Sequence, residues 1–206
     1  MASYEEETKL RLEKEDFEHL LEAGEVIDAN DHLNIYFDDS EELSSSSATF
    51  RIRFYSSRAP VMTLKVPQDT GSDARTCLEV EVTLQNGNSW PKVFDVDGDL
   101  PDQFSRPLQS LGVDRLHRLG YMRTFRAHVK IAEGIQIELD RVSLPNGEVF
   151  FEAEFESDDR EQHQRAKELI CSLAESARES RLSKYQRFSR AINDYSKNGS
   201  LSVTSK

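Results

Sequence analysis

Charged and apolar residues alternate in several short segments, and this alternation restricts the chain to a fold built largely from strands. Residues 50–54 read Phe-Arg-Ile-Arg-Phe, and residues 151–155 read Phe-Glu-Ala-Glu-Phe. Successive side chains of a strand point to opposite faces, so each segment predicts a strand with one charged and one apolar face. The charged faces defined in this way carry Glu5, Glu7 and Lys9, then Arg51 and Arg53, then Glu79 and Glu81, and finally Glu152 and Glu154.

The same periodicity predicts eight strands in all, at about residues 4–12, 33–38, 48–56, 61–66, 77–84, 121–131, 135–142 and 148–156. Helical periodicity predicts helices at about residues 14–23, 104–119, 158–179 and 181–195. Many strands and few helices favour a mainly β member of the α+β class, an eight-stranded antiparallel closed β-barrel with flanking helices. Residues 1–197 are predicted to form this single domain, with the helices of 158–197 packed on the barrel and residues 198–206 disordered.

The charged faces allow two interpretations. An antiparallel sheet with one face in water would place all these charges in solvent, and this is the simpler interpretation. However, the charges sort by strand, with carboxylates on three strands and guanidinium groups on the one that carries Arg51 and Arg53. The alternative is a barrel whose flanking helices cover the outside, so that the charged face lines the interior.

Composition narrows the class of partner. The formal net charge is −12, which argues against non-specific nucleic-acid binding, because phosphate contacts require a basic field. No apolar run approaches the ~20 residues that span a bilayer. Cys77 and Cys171 form no CxxC pair, and the acidic N-terminus does not resemble a signal peptide, which favours a cytoplasmic protein.

An interior lined by both signs of charge suits a particular ligand. Carboxylates bind hard cations such as Mg²⁺ or Mn²⁺, and guanidinium groups match phosphate oxygens. A ligand with several phosphates and one or two divalent ions would neutralise such an interior. The sequence therefore predicts metal-dependent phosphoryl transfer from a small triphosphate to water.

Motifs in chain order resemble the CYTH superfamily of triphosphate tunnel metalloenzymes. The opening ExExK signature fits residues 5–9, the "YFD" segment fits residues 36–38, the RxR strand fits residues 51–53 and the "TLK" strand fits residues 63–65. Later elements are Glu79 and Glu81, Arg126 followed by Asp140, the closing ExE at Glu152 and Glu154, and Ser183-Lys184-Tyr185 in the last helix. The resemblance implies hydrolysis of a triphosphate, with inorganic tripolyphosphate preferred because these motifs contain no evident platform for an organic ring.

The resemblance also implies residue roles. The expected substrate-binding residues are Lys9, Arg51, Arg53, Lys65, Arg126 and Lys184. The expected metal ligands are Glu5, Glu7, Asp140, Glu152 and Glu154, with Glu79 and Glu81 as secondary candidates. Glu5, Glu7, Lys9 and Glu154 are the expected catalytic residues.

Several alternatives stay open at this stage. Arg123 competes with Arg126, Glu138 competes with Asp140, and a surface position is the simpler assignment for a helical Lys184. Thiamine triphosphatase or adenylyl cyclase activity would suit the same fold with a ring pocket, to which Trp90 is a candidate contributor. A non-catalytic polyphosphate or nucleotide sensor is the competing class. Pairing of barrels or of C-terminal helices would make a homodimer, although no heptad pattern requires it.

Overall fold

The alternating segments form the strands of one antiparallel sheet. The computed structural model describes residues 6–68, 76–85, 91–157, 159–180 and 182–199. Within these ranges the strands are β1 (Glu6–Leu12), β2 (Glu25–Asp38), β3 (Thr49–Tyr55), β4 (Val61–Gln68), β5 (Thr76–Thr83), β6 (Val93–Asp95), β7 (Arg115–Ala132), β8 (Ile135–Ser143), β9 (Val149–Ser157) and β10 (Arg178–Glu179). The helices are α1 (Lys14–Ala23), α2 (Glu42–Ser45), α3 (Val96–Asp99), α4 (Asp102–Ser110), α5 (Arg160–Leu173) and α6 (Lys184–Gly199).

The strand order is β10-β1-β9-β8-β7-β2-β3-β4-β5, and β6 pairs with β7 off this path. Each of these pairings is antiparallel. The predicted mainly antiparallel sheet with flanking helices is thus confirmed. The pairings among the described residues run from β10 to β5 without joining the two ends, so closure into a barrel stays a prediction.

Two glycines lie in the hairpins that connect β7, β8 and β9. Gly134 follows β7 with φ of +70°, and Gly147 precedes β9 with φ of +87°. Residues with a Cβ rarely adopt these left-handed values, whereas glycine does so at little cost. These turns set β7, β8 and β9 side by side, and β8 and β9 carry Asp140, Glu152 and Glu154 of the predicted site.

Two helix predictions were wrong in part. The helix expected at 104–119 ends at Ser110, where Gly112 adopts φ of +78° and breaks the helical path. The following residues begin β7 instead. The helix expected at 158–179 ends at Leu173, and residues 178–179 form β10 against the edge of β1.

The strand predictions were right in position but short for β2, which begins at Glu25 rather than near residue 33, and for β7, which begins at Arg115 rather than near residue 121. The first half of β2 is largely exposed, and its adjacent apolar residues Val26 and Ile27 do not alternate with polar ones, so its pairing with β7 keeps it extended. Short elements also lie where loops were expected, namely α2, β6, α3 and the start of α4. Residues 69–75 and 86–90, which include Trp90, lie outside the described residues, as does the predicted tail from residue 200 onward. Residues 198 and 199, which were also predicted to be disordered, belong to α6.

Helices cover both faces of the sheet. On the apolar face, α1 and α5 bury Phe17, Leu20 and Ile170 against β1, β7, β8 and β9. A second cluster on that face packs Phe104 and Leu108 of α4 onto β3 and β4. On the opposite, charged face, Tyr185, Phe188 and Ala191 of α6 pack on a smaller apolar cluster that includes Tyr36, Met122 and Phe150. Of the helices that the structure describes, none is long and apolar enough to cross a membrane.

Candidate active site

Strand register gathers the charged side chains on one face of the sheet, because directly paired residues of antiparallel strands project to the same side. One row of paired residues crosses five strands and contains Arg11, Glu152, Asp140, Arg126 and Asn30. The neighbouring row contains Lys9, Glu154, Glu138 and His128. A third row, on the other half of the sheet, contains Tyr36, Arg51, Thr63 and Glu81.

Burial decides between the two interpretations of this face. Asp140 and Glu152 are 0% exposed and Glu154 is 5% exposed. Carboxylates on a solvated sheet would be largely accessible, whereas buried ones require cationic or hydrogen-bonding partners. The acidic half of the charged face is therefore an enclosed ionic cluster.

Lys184 lies at the centre of this acidic cluster, although surface exposure is the usual state of a helical lysine. The first residue of α6 is Lys184, and its Nζ lies 2.5 Å from Glu154, 2.8 Å from Asp140 and 3.2 Å from Glu152. Three carboxylates from two strands thus share one ammonium group.

Arg126 is the second cation of the cluster. Its Nη2 donates to Asp140 Oδ2 at 2.6 Å and to Glu154 Oε2 at 2.9 Å, its Nε donates to Asp140 Oδ1 at 2.7 Å, and its Nη1 pairs with Glu138. The rival Arg123 is exposed and points away from this face. Glu138 and Asp140 both bind this guanidinium group, so the choice between them as a ligand stays open.

The ionisation of the cluster follows from these contacts. Burial alone would raise the pKa of Asp140 and of Glu154, but Lys184 and Arg126 outweigh it and lower the pKa of both carboxyl groups. The pKa of Lys184 rises in turn, because the three carboxylates outweigh its burial. The pKa of Glu152 is raised, mainly by burial. Asp140 and Glu154 are therefore anionic at neutral pH.

Arg51 and Arg53 form a basic pair for which the described residues supply no acidic partner. Arg53 Nε donates to the neutral amide of Asn34, at 2.8 Å from Oδ1. Arg51 Nε is buried and has no hydrogen-bond partner among the described residues. Burial, followed by the charge of Arg53, lowers the pKa of Arg51. In the part of the chain that the structure describes, neither guanidinium group has a carboxylate within 4.0 Å.

The remaining predicted residues fall into two groups. Lys9 lies 3.7 Å from Glu154 and so joins the acidic cluster. Lys65 instead pairs with Glu79 at 3.0 Å, and Thr63 donates to Glu81 at 2.9 Å, on the half of the sheet that carries Arg51. Glu79 and Glu81 are exposed and lie on β5, the last strand of the sheet order, whereas Asp140 and Glu154 lie on β8 and β9. Glu5 lies outside the described residues, and Glu7 is placed on β1 by its backbone alone.

Sequence reasoning missed two arginines next to the cluster. Arg187 Nε lies 3.5 Å from Glu152, and its guanidinium carbon lies 5.2 Å from the centre of the Phe150 ring. The guanidinium carbon of Arg11 lies 4.6 Å from the centre of the same ring, and Arg11 is paired with Glu152 in the sheet. Both were available from periodicity, since Arg187 follows Lys184 by three helical positions and Arg11 follows Lys9 by two strand positions.

The acidic cluster has the donor chemistry of a hard-cation site. Among the described residues, no group of three or more His, Cys, Asp or Glu side chains has the arrangement of a metal site. Instead, the oxygens of Asp140, Glu152 and Glu154 surround the Lys184 ammonium within 3.2 Å. Oxygen donors so closely spaced suit Mg²⁺ or Mn²⁺ once Lys184 Nζ moves away.

The buried His32 gives a prediction for pH dependence. Its burial, followed by the charges of Arg53 and Arg126, lowers the pKa of His32 from 6.5 to about 3. The unfolded chain therefore binds a proton at this histidine between pH 6.5 and 3 that the folded chain does not, so the stability it contributes above pH 6.5 is lost as pH falls. We expect a contribution of up to about 1.4 kcal/mol per pH unit in this window, measured by urea unfolding. A His32→Gln variant should show a correspondingly shallower acid slope, and an unchanged slope would contradict the assignment.

The fold and the enclosed ionic face define a class of antiparallel sheet proteins with a buried cluster of acidic and basic side chains. A family model described as the CYTH domain matches residues 3–189, and the chain therefore belongs to the CYTH family. The resemblance inferred from the motifs is thus confirmed. No match is found among curated protein sequences.

Solved structures with this fold are similar over most of their length. A Hippeastrum protein, a candidate adenylyl cyclase described as having a dominant triphosphatase activity, superposes with a TM-score of 0.68 at 23% identity, covering 89% of this chain and 94% of its own. A candidate adenylate cyclase from Bacillus halodurans gives a TM-score of 0.69 at 23% identity, with 90% and 99% coverage. The PH1819 protein of Pyrococcus horikoshii gives 0.58 at 23% identity, with 91% and 99% coverage. At these identities the likeness establishes the fold alone.

Proposed function

We propose that this chain hydrolyses a triphosphate in a reaction that depends on a divalent cation, with inorganic tripolyphosphate as the preferred substrate. The observation that carries the proposal is the basic pair Arg51 and Arg53, which is half-buried, includes the buried Arg51 Nε, and has no carboxylate within 4.0 Å among the described residues. A buried, unneutralised charge is costly, so this pair is expected to bind an anion from solution. Guanidinium groups bind phosphate oxygens with two parallel hydrogen bonds, which makes a phosphate chain the suitable anion.

The acidic cluster supplies the second requirement. Asp140 and Glu154, with Glu152 beside them, would hold Mg²⁺ or Mn²⁺, and Glu5 and Glu7 are further candidates on β1. A divalent cation bound there would neutralise phosphate charge and lower the pKa of a bound water. These carboxylates are already in contact with Lys184, Lys9 and Arg126. The three cationic side chains would therefore lie between the bound divalent cation and the phosphate chain. Lys65 would add a further positive charge on the half of the sheet that carries Arg51.

The reaction follows from this arrangement. A water oxygen attacks the terminal phosphorus, the bond from that phosphorus to the bridging oxygen breaks, and orthophosphate and pyrophosphate leave. The basic side chains bind the phosphate oxygens and stabilise the negative charge that the leaving pyrophosphate gains. A carboxylate next to the water accepts its proton, and Glu154 is the described residue that we assign to this role.

A second substrate class is favoured by a specific aromatic contact. Tyr55 follows Arg53 by two positions on β3, so it lies on the same face. Its ring is covered by the Arg58 guanidinium, at 3.6 Å from the ring centre, and the His32 ring lies 5.8 Å away. These three side chains give a platform on which a planar ring can stack, which the motifs did not reveal. ATP or thiamine triphosphate is therefore the alternative substrate.

Phosphate release from tripolyphosphate, ATP and thiamine triphosphate, with Mg²⁺ or Mn²⁺ and with a chelator, tests the proposal. We expect metal-dependent release that is fastest with tripolyphosphate and is unaffected by Tyr55→Ala. A faster rate with an organic triphosphate, reduced about tenfold or more by Tyr55→Ala, would establish the second class. No release from any substrate by the folded protein would contradict the proposed hydrolysis.

A further inference from the structure

The carboxylate of Asp38 is a buried acceptor that the proposed reaction does not use. Asp38 is the last residue of β2 and is 3% exposed. Its Oδ1 accepts from the backbone N–H groups of Asp39 at 2.7 Å and Leu43 at 2.8 Å. Its Oδ2 accepts from the backbone N–H of Ser44 at 3.1 Å and from the Ser44 hydroxyl at 2.9 Å. Three residues of the 39–44 segment, which includes most of α2, are thus bonded to one side chain.

A fifth donor reaches the same carboxylate from the far end of the chain. The Tyr185 hydroxyl donates to Asp38 Oδ2 at 3.0 Å, across 147 residues of sequence. Burial, followed by the charge of Asp38 and this hydrogen bond, raises the pKa of Tyr185, so the hydroxyl keeps its proton. The bond is buried, where a broken hydrogen bond is costly because water does not replace it.

Tyr185 directly follows Lys184 in the first turn of α6. The side chains of neighbouring residues in an α-helix point about 100° apart. When Tyr185 points to Asp38, Lys184 therefore points in a different direction, which is that of the acidic cluster with Asp140 and Glu154. The rotation of this first turn therefore determines where the Lys184 ammonium lies.

Apolar contacts alone do not fix that rotation. The Tyr185 ring lies 5.1 Å from the ring of Tyr36, and Phe188 lies 4.7 Å from the same ring. Such contacts hold α6 on the sheet but tolerate sliding and turning, because the hydrophobic effect is not directional. The hydrogen bond from the Tyr185 hydroxyl to the Asp38 carboxylate is directional. Its acceptor is already fixed by the hydrogen bonds from the 39–44 segment.

We propose that Asp38 is a positioning residue, which through the Tyr185 hydroxyl holds the first turn of α6 so that Lys184 reaches the acidic cluster and the substrate phosphates. The effect on phosphate binding rests on the proposed function, whereas the hold on α6 does not. The proposal joins two motif elements that otherwise have no shared role, the end of the "YFD" segment and the tyrosine that follows Lys184.

Tyr185→Phe is the appropriate test because it removes one oxygen atom and keeps the ring packing, whereas replacing Asp38 would also disrupt α2. We expect Tyr185→Phe to weaken binding of tripolyphosphate with Mn²⁺, measured by titration calorimetry, by about five- to tenfold. If the hydroxyl acts through Lys184, the same change in the Lys184→Gln background should alter binding by less than about twofold. The matched control is Tyr121→Phe, since Tyr121 is 56% exposed.

Two outcomes would overturn the proposal. Equal weakening by Tyr185→Phe in both backgrounds would show that the hydroxyl does not act through Lys184. Unchanged hydrogen exchange at the backbone amides of residues 186–190 in Tyr185→Phe would show that the bond does not hold α6, since we expect exchange about fivefold faster. The exchange measurement requires no triphosphate, so it decides the hold on α6 even if the wild-type protein binds no tripolyphosphate and the proposed function fails.

Discussion

Replacing Arg51 with methionine is expected to weaken tripolyphosphate binding by about 100-fold while leaving the free energy of unfolding unchanged or slightly higher. Two charge-assisted hydrogen bonds to phosphate, at about 1.5 kcal/mol each, account for a loss of this size. Arg51 Nε has no described partner, so an apolar side chain of similar length removes a buried charge without leaving another charge unpaired. Titration calorimetry with Mn²⁺ present and urea unfolding measure the two quantities.

Arg123→Met provides the matched control for this result. Arg123 is an exposed arginine on β7 whose side chain points away from the charged face, so its loss should change neither binding nor stability appreciably. Suppose instead that Arg51→Met lowers stability by more than about 2 kcal/mol and leaves binding intact. Arg51 would then be neutralised by the protein itself, and the anion-binding interpretation of the pair would be wrong.

Glu154→Gln should abolish most of the metal-dependent activity, with a loss of at least about 100-fold in kcat. The glutamine keeps the size of the side chain but loses the negative charge that a hard cation and a proton acceptor both require. The fold should persist, because Lys184 and Arg126 each keep Asp140 as an anionic partner. We expect a stability decrease of about 1–3 kcal/mol, the usual range for losing hydrogen bonds between charged groups. Phosphate release under saturating tripolyphosphate measures kcat.

The control for Glu154 is Glu148→Gln, an exposed glutamate just before the same strand. It removes the same charge without touching the acidic cluster, so the activity should stay within about twofold of wild type. Full activity of Glu154→Gln would exclude this residue both as a cation ligand and as the proton acceptor.

The sheet could be predicted from the sequence because the alternation of charged and apolar residues is visible within each strand. Strands such as β3 and β9 alternate strictly between charge and large apolar groups, so their position and orientation follow from the sequence. The first half of β2 does not alternate, since both of its faces are largely exposed, and its extended form depends on hydrogen bonds to β7. The end of α4 depends on Gly112, whose left-handed conformation competes with a helical periodicity that continues beyond it.

Motif order singled out Arg126 and Asp140, which the structure places in direct contact, and their roles in binding stay predictions. Lys184 was not predictable from local pattern as a buried residue, because its burial results from α6 docking against β8 and β9. The Asp38–Tyr185 bond joins positions 147 residues apart, and no periodicity within either segment points to the other. From the sequence, Tyr55 is an ordinary aromatic residue of a strand. Its contact with Arg58 in the structure is what suggests a platform for stacking a planar ring.

A crystal structure with Mn²⁺ and a tripolyphosphate analogue whose bridging oxygens are replaced by NH groups would test the central claim most directly. We predict an anomalous Mn²⁺ signal bonded to carboxylate oxygens of Asp140 or Glu154, with the phosphate chain bound by Arg51 and Arg53. Lys184 Nζ should then contact a phosphate oxygen rather than three carboxylates. Mn²⁺ and the analogue bound elsewhere, with Lys184 still held by Asp140, Glu152 and Glu154, would contradict the claim that the enclosed charged face is a triphosphate site.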